Sequence, residues 1–162
     1  MIPSDHFVRF YNEVFKFLDE RGDLEEYYQE ISRHQELHCL ELFREKGLQG
    51  VYEYYQKIRL EENCDMDIQL KGHELILNMK CCPSLSKAID NDAGLCIKYC
   101  LHCPGWSLPL YRRAGFYACN DLKGLQTPAC TEYVSDDLAT ARARRAELLR
   151  RCPAENIRWN FD

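Results

Sequence analysis

Three thiols and an imidazole fall within eight residues of this chain, in Cys96-Ile-Lys-Tyr-Cys100-Leu-His-Cys103. The segment from Cys81 to Cys152 carries eight of the ten cysteines. Thiols gathered this way hold a soft metal or cluster, act as nucleophiles or redox groups, or fill a core as small hydrophobes. Choosing among these uses is most of the functional question.

The metal use would draw on Cys96, Cys100 and Cys103, with a fourth thiolate from Cys81, Cys82 or Cys119, and would hold zinc or an iron–sulfur cluster. The Cys96-x3-Cys100-x2-Cys103 spacing resembles that of radical S-adenosylmethionine enzymes. The chain lacks the alternating strands and helices that would build their barrel, and His102 stands where they usually carry an aromatic residue. Cys81 and Cys82 are adjacent, and neighbouring side chains on a strand point to opposite faces, so the two are poor partners on one zinc.

The nucleophilic use needs a thiol whose pKa is lowered by an imidazole, a cation or a helix amino terminus. Cys82-Pro83 and Cys103-Pro104 each precede a predicted helix, and proline is favoured in a first helical turn. His34 and His38 lie one turn apart on the predicted second helix, on the stripe of Ile31 and Leu42. They could serve as a base beside a thiol. Two half-buried histidines satisfied by backbone or tyrosine partners would give the same pattern.

The elements that must position these groups read as α+β. Residues 1–62 are helical in pattern. Phe7, Phe10, Tyr11, Val14, Phe15 and Leu18 form one stripe ending at Gly22, and Asp23 with Glu26 fits a capping box. Leu24, Tyr27, Tyr28, Ile31 and Leu42 carry a second stripe to Gly47, and Leu48, Val51, Tyr52, Tyr55 and Ile58 a third. Phe10, Val14, Ile31 and Tyr52 are expected to be buried, and Lys16, Glu20 and Arg44 exposed.

The period then changes to two. Met66, Ile68 and Leu70 alternate with polar residues, Gly72-His73 turns, and Leu75, Leu77, Met79 and Cys81 alternate back, which is a hairpin. A short helix at Leu85–Ile89, a Cys-rich helical insert, strands near 116–119 and 129–134, and a closing helix capped by Ser135 complete residues 63–152. The expectation is a single domain over 1–162: amino-terminal helices on a small antiparallel sheet, a Cys-rich helical insert and a closing carboxy-terminal helix.

Composition narrows the setting. A chain of 162 residues can bury roughly 70% of its unfolded surface in one core. Its cysteine content lies below that of a secreted disulfide scaffold. No signal-peptide pattern is visible in Met1-Ile-Pro-Ser-Asp-His-Phe, and the apolar runs are too short to span a bilayer. A cytoplasmic setting with no membrane partner follows as the expectation. The net charge of −5 argues against nucleic acid as the main partner. Arg142, Arg144, Arg145, Arg150 and Arg151 read as a solvated face that complements the helix dipole.

At Cys82-Pro83, Tyr99-Cys100 and Ala129-Cys130-Thr-Glu-Tyr-Val-Ser-Asp136 the chain resembles the L-2-amino-thiazoline-4-carboxylic acid hydrolase family, over roughly residues 30–150. The resemblance implies hydrolytic opening of a cyclic amidine-like ring, with Cys82, Cys100 and Cys130 at the matched positions. Cys103 departs from the pattern, because the family often has an acid there.

Taken together, these residues lead to a protein that binds a small molecule in a thiol-lined pocket between helices and sheet, and hydrolyses it without a cofactor. Cys100 or Cys82 would be the nucleophile, His34 or His38 the base, and Tyr99, Trp106 and Cys130 pocket walls. The alternatives are a non-catalytic zinc or iron–sulfur module and an interaction protein that forms a homodimer.

Overall fold

The computed structural model describes residues 5–34 and 36–162. Residues 1–4, which belong to the stretch lacking a leader pattern, and Gln35, inside the expected second helix, lie outside it. The fold is α+β. Helices α1 (Asp5–Arg21), α2 (Leu24–Arg33), α3 (Glu41–Lys46) and α4 (Leu48–Glu61) lead into the hairpin β1 (Asp65–Lys71) and β2 (Glu74–Cys81). Then follow α5 (Pro83–Ile89), α6 (His102–Ala114), β3 (Tyr117–Asp121), β4 (Cys130–Ser135), α7 (Leu138–Arg151) and β5 (Ile157–Trp159).

The strands form one antiparallel sheet in the order β1-β2-β4-β3-β5. The hairpin turns at Gly72-His73, with Lys71 paired to Glu74 as the alternation predicts. β5 has only three residues, too few for alternation to register, and sequence reading misses it. Along β4 the period of two sorts side chains by face. Val134 packs with Leu75, Leu77 and Ala118 against α3, α4 and α6, whereas Tyr133 packs with Cys119, Ala141 and Leu148 under α7.

Several helical expectations are corrected. The buried face of α1 is Val8, Asn12 and Phe15, not the stripe through Phe10. Phe7 and Phe10 are 60% and 61% exposed. A polar hook sets this rotation. The buried Asn12 side chain accepts from the Cys96 amide at 2.8 Å and donates to the Gly94 carbonyl at 2.7 Å. Val14, Ile31 and Tyr52 are half-buried, as is Lys16, which holds Glu13 at 2.8 Å and the Ala93 carbonyl at 2.6 Å. Glu20 and Arg44 are exposed as expected.

Asp23 makes no side-chain capping bond, so the capping box is not formed. The second stripe is not one helix: α2 stops at Arg33, and Glu36–Leu40 is π-helical before α3. The cap of α7 is Asp137, whose Oδ2 accepts from the Thr140 amide at 2.7 Å. Ser135, the expected cap, instead donates to the His73 carbonyl at 2.6 Å.

The arginine face of α7 is only partly solvated. Arg144 donates through Nε and a terminal nitrogen to the two oxygens of Glu74, at 3.0 and 2.7 Å, and lies 4.4 Å over the Tyr133 ring. Bidentate pairing of this kind ties α7 to β2. Arg150 is exposed. Among the described residues no helix is long and apolar enough to cross a membrane.

The rotation of α1 is testable by paired substitutions. Val8→Asp forces a charge into the core and should cost several kcal/mol. Phe10→Asp should stay within about 0.5 kcal/mol of the parent. Denaturant unfolding distinguishes the two, and equal losses would contradict the face assigned here.

Candidate active site

α6 approaches α2 unusually closely. A Cβ at Gly105 would stand 2.8 Å from the Tyr28 side chain, so only glycine admits this crossing. The approach seats the first turn of α6, His102 and Cys103, on the wall of a cavity of about 600 Å³ between the helices and the sheet. α1 and α4 supply an aromatic wall that includes Tyr11, Phe15, Tyr54 and Tyr55. The sheet supplies Met66, Leu77, Met79, Asn120, Cys130 and Glu132.

Within this cavity two adjacent residues form a thiol–imidazole pair. His102 Nδ1 lies 2.6 Å from the Tyr99 carbonyl oxygen. A carbonyl only accepts, so Nδ1 carries the proton and Nε2 is left as the acceptor. Cys103 Sγ lies 3.3 Å from that Nε2 and donates to it. The ring is wedged between Phe15 and Tyr99, at centroid distances of 5.6 and 5.2 Å. The geometry is that of a thiol donating to an imidazole that a backbone carbonyl orients.

The electrostatics keep the pair neutral. Burial pushes the Cys103 thiol up to about 12, and the carboxylates of Glu132 and Glu62 push the same way. Burial also holds the His102 imidazole below its ordinary value. Cys103 is exposed towards the cavity. Both shifts oppose a thiolate–imidazolium pair.

Beneath the pair sits Glu132, a buried carboxylate on β4. Ser107 Oγ and Asn120 Nδ2 donate to Oε1 at 3.0 and 2.8 Å, and Tyr111 OH donates to Oε2 at 2.9 Å. Tyr55 OH stands 3.4 Å from Oε2 and 3.0 Å from the Tyr111 hydroxyl. Burial still raises the carboxyl above its ordinary value.

The sequence-derived candidates divide around this cavity. Cys82, His38, Trp106, Cys130 and Cys103 line it. Cys82 is the cap of α5, accepting from the Leu85 amide at 3.4 Å, as the Cys-Pro reading requires. Its thiol is nevertheless pushed up to about 11, because burial outweighs that hydrogen bond. Cys100 does not line the cavity. It packs against the Val8–Phe15 cluster, and burial pushes its thiol up to about 12. Tyr99 likewise serves from behind, buried, with its hydroxyl 2.7 Å from Ser84 Oγ and its carbonyl on His102.

His34 is corrected as a base candidate. It is exposed beyond the end of α2, 3.7 Å from Glu30, because the helix that should have carried both histidines stops at Arg33. His38 faces the cavity and meets the Tyr54 hydroxyl at 3.1 Å. The Cys96, Cys100 and Cys103 set does not converge either. Cys96 is buried against α1, Cys100 lies off the cavity and Cys103 faces into it. Among the described residues no group of three or more His, Cys, Asp or Glu side chains is placed to hold a metal ion.

Sequence reading passed over His102 and Glu132. Glu132 had a signal: it lies in step with Cys130 and Val134 on a strand of period two, hence on their face. His102 stands in the cysteine cluster, but its pairing with Cys103 had no periodic signal, since adjacent residues on a helix point about 100° apart and only the local bonds bring the two together.

Two pH measurements follow. Iodoacetamide labelling of Cys103 in the free protein should be slow at pH 7 and still climbing above pH 10, with no plateau near neutrality. A plateau below pH 8 would contradict the neutral pair. The imidazole is the second probe. Below its ordinary 6.5 the unfolded chain binds a proton that half-buried His102 does not, so stability is lost as pH falls through 6.5 towards the depressed folded value. In His102→Gln that part of the pH dependence should vanish from unfolding curves.

No family model matches the chain, and no match is found among curated proteins or solved structures.

Proposed function

We propose that the protein binds a small molecule in the cavity between helices and sheet and hydrolyses a C–N bond in it, with Cys103 as nucleophile and His102 as general base. One observation carries this reading: Cys103 Sγ donates to His102 Nε2 while His102 Nδ1 is anchored on the Tyr99 carbonyl, inside a cavity large enough for a small ligand. The resemblance to the thiazoline-carboxylate hydrolases adds the substrate class, a cyclic amidine or similar C–N bond. It had pointed to other thiols, and the geometry favours Cys103 over Cys100.

The chemistry follows from the atoms. As Sγ bonds to the amidine carbon, its proton passes to Nε2. The imidazolium then protonates the ring nitrogen, the C–N bond breaks, and the carbon remains on sulfur as a thioimidate. Water, deprotonated by the same Nε2, adds to that carbon and expels the Cys103 sulfur, leaving an amide and a free amine. The net reaction consumes one water and needs no cofactor. The two carboxylates that oppose a thiolate in the empty cavity favour the imidazolium that forms during reaction. A reduced thiol is required throughout, so we place the protein in the cytoplasm.

A panel of five-membered cyclic amidines, followed by mass spectrometry for the gain of one water, tests the reading. Cys103→Ala should lower turnover by about a thousandfold or more, and His102→Gln by about a hundredfold to ten-thousandfold. Cys100→Ser should remain close to the parent. Ring opening that survives Cys103→Ala, or a parent inert to every member, would overturn it.

A further inference from the structure

The polar groups of the cavity are one-sided. Glu62 and Glu132 line it, and among the described residues no lysine or arginine does. A buried acceptor without a partner belongs to one of the lining residues. Asn120 is 3% exposed and lines the cavity, yet its Oδ1 has no hydrogen-bond partner. Which end of that amide is the acceptor is fixed by its neighbour, because Nδ2 donates to Glu132 Oε1 at 2.8 Å and the reversed amide would set two acceptors face to face. Strand pairing makes the arrangement rigid, since Asn120 and Glu132 are directly opposite across β3 and β4. A buried acceptor without a donor costs about 1–3 kcal/mol, and an arriving N–H recovers it.

We propose that the floor of this cavity is a binding site for a planar cationic N–H donor, an amidinium or guanidinium, that donates to Asn120 Oδ1 with the Glu132 and Glu62 carboxylates as counter-charges, and that the site rejects ligands bearing a carboxylate. The Glu132 oxygens already accept from Ser107, Asn120, Tyr111 and Tyr55, so Glu132 acts through its charge and Asn120 Oδ1 is the open acceptor. The rings of Tyr55 and Trp106 add a surface that favours a cation over a neutral or anionic group. An anion would meet two carboxylates and find no cation to pair with. The resemblance named above implies a substrate with a carboxylate, and this cavity excludes that feature. A bound cation also offsets the carboxylates that oppose ionisation of Cys103, so the nucleophile is activated by the ligand it attacks.

The inference rests on the cavity being the small-molecule site proposed above, and binding separates it from catalysis. Benzamidine, benzamide and benzoate share one shape and differ in charge, and their binding can be read by calorimetry and by Trp106 fluorescence. On the purified parent, benzamidine should bind at least about tenfold more tightly than benzamide, as expected for a hydrogen bond to a charged group. Benzoate should not bind. Glu132→Gln keeps the shape and removes the charge, and should bring the benzamidine-to-benzamide ratio near one. If that variant does not fold, Glu62→Gln should lower the same ratio severalfold. Cys103→Ala should bind benzamidine like the parent. Equal binding of benzamidine and benzamide, binding of benzoate as tight as benzamidine, or an unchanged ratio in a folded Glu132→Gln or Glu62→Gln variant would overturn the inference. Cation-selective binding without ring opening would leave it standing and remove the hydrolase reading alone.

Discussion

A carboxylate driven into the interior is the constraint around which this molecule is arranged. Glu132 sits 8% exposed in the middle of β4, and among the described residues no lysine or arginine lines the cavity beside it. Removing such a group from water is costly unless polar partners replace the water. The partners come from three separate elements: Tyr55 on α4, Ser107 and Tyr111 on α6, and Asn120 on β3. Satisfying one side chain therefore fixes how two helices and a neighbouring strand meet. Tyr111 and Ser107 are themselves buried. The same four contacts hold α6 at the depth where its first turn reaches the cavity. In a well-packed apolar core many rotations of α6 would be nearly equivalent. Here one is selected, because any other would leave a buried charge unpaired.

The thiol–imidazole pair and the carboxylates are best understood together. Thiolate–imidazolium pairs form where cations or helix termini outweigh burial. In this cavity burial and two carboxylates push the Cys103 thiol up. The helix amino terminus at α6 and the capping geometry of Cys82 act in the opposite direction but are too weak. A thiol held protonated is quiet towards stray electrophiles. Four thiols, those of Cys64, Cys82, Cys103 and Cys130, face the same cavity. Among the described residues, Cys103 is the one of these four with an imidazole nitrogen within hydrogen-bonding distance of its sulfur.

The sequence made the sheet side of the molecule readable, because alternation is a local signal. The hairpin, its turn at Gly72-His73 and the cavity-facing position of Cys130 all follow from a period of two. Pro83 likewise marked α5 and placed Cys82 at its cap. The helical side was less readable. Aromatic residues occur all round α1, and the tie-breaker is Asn12, a polar residue whose partners lie more than eighty positions away. The expected second helix failed for a similar reason: nothing in the apolar spacing of Leu24, Ile31 and Leu42 reports a π-helical stretch between them. The candidate thiols were chosen for their approach to helix termini, a consideration that ignores how dry the termini are. Desolvation depends on the whole fold, and it reversed the expected direction for Cys82, Cys100 and Cys103 alike.

The reactive pair has an unusual economy of construction. Tyr99, His102 and Cys103 fall within five consecutive positions, so the orienting carbonyl, the imidazole and the thiol are spaced by local peptide geometry. In many sites of this type the base and the nucleophile arrive from distant parts of the chain, and a small shift between elements spoils their alignment. The spacing of the trio is thus set by the chain itself. What the remainder of the fold contributes is context: burial, charge and a shape to fill. The trio is a local cassette, and the surrounding elements, Phe15 of α1 among them, press on it from outside.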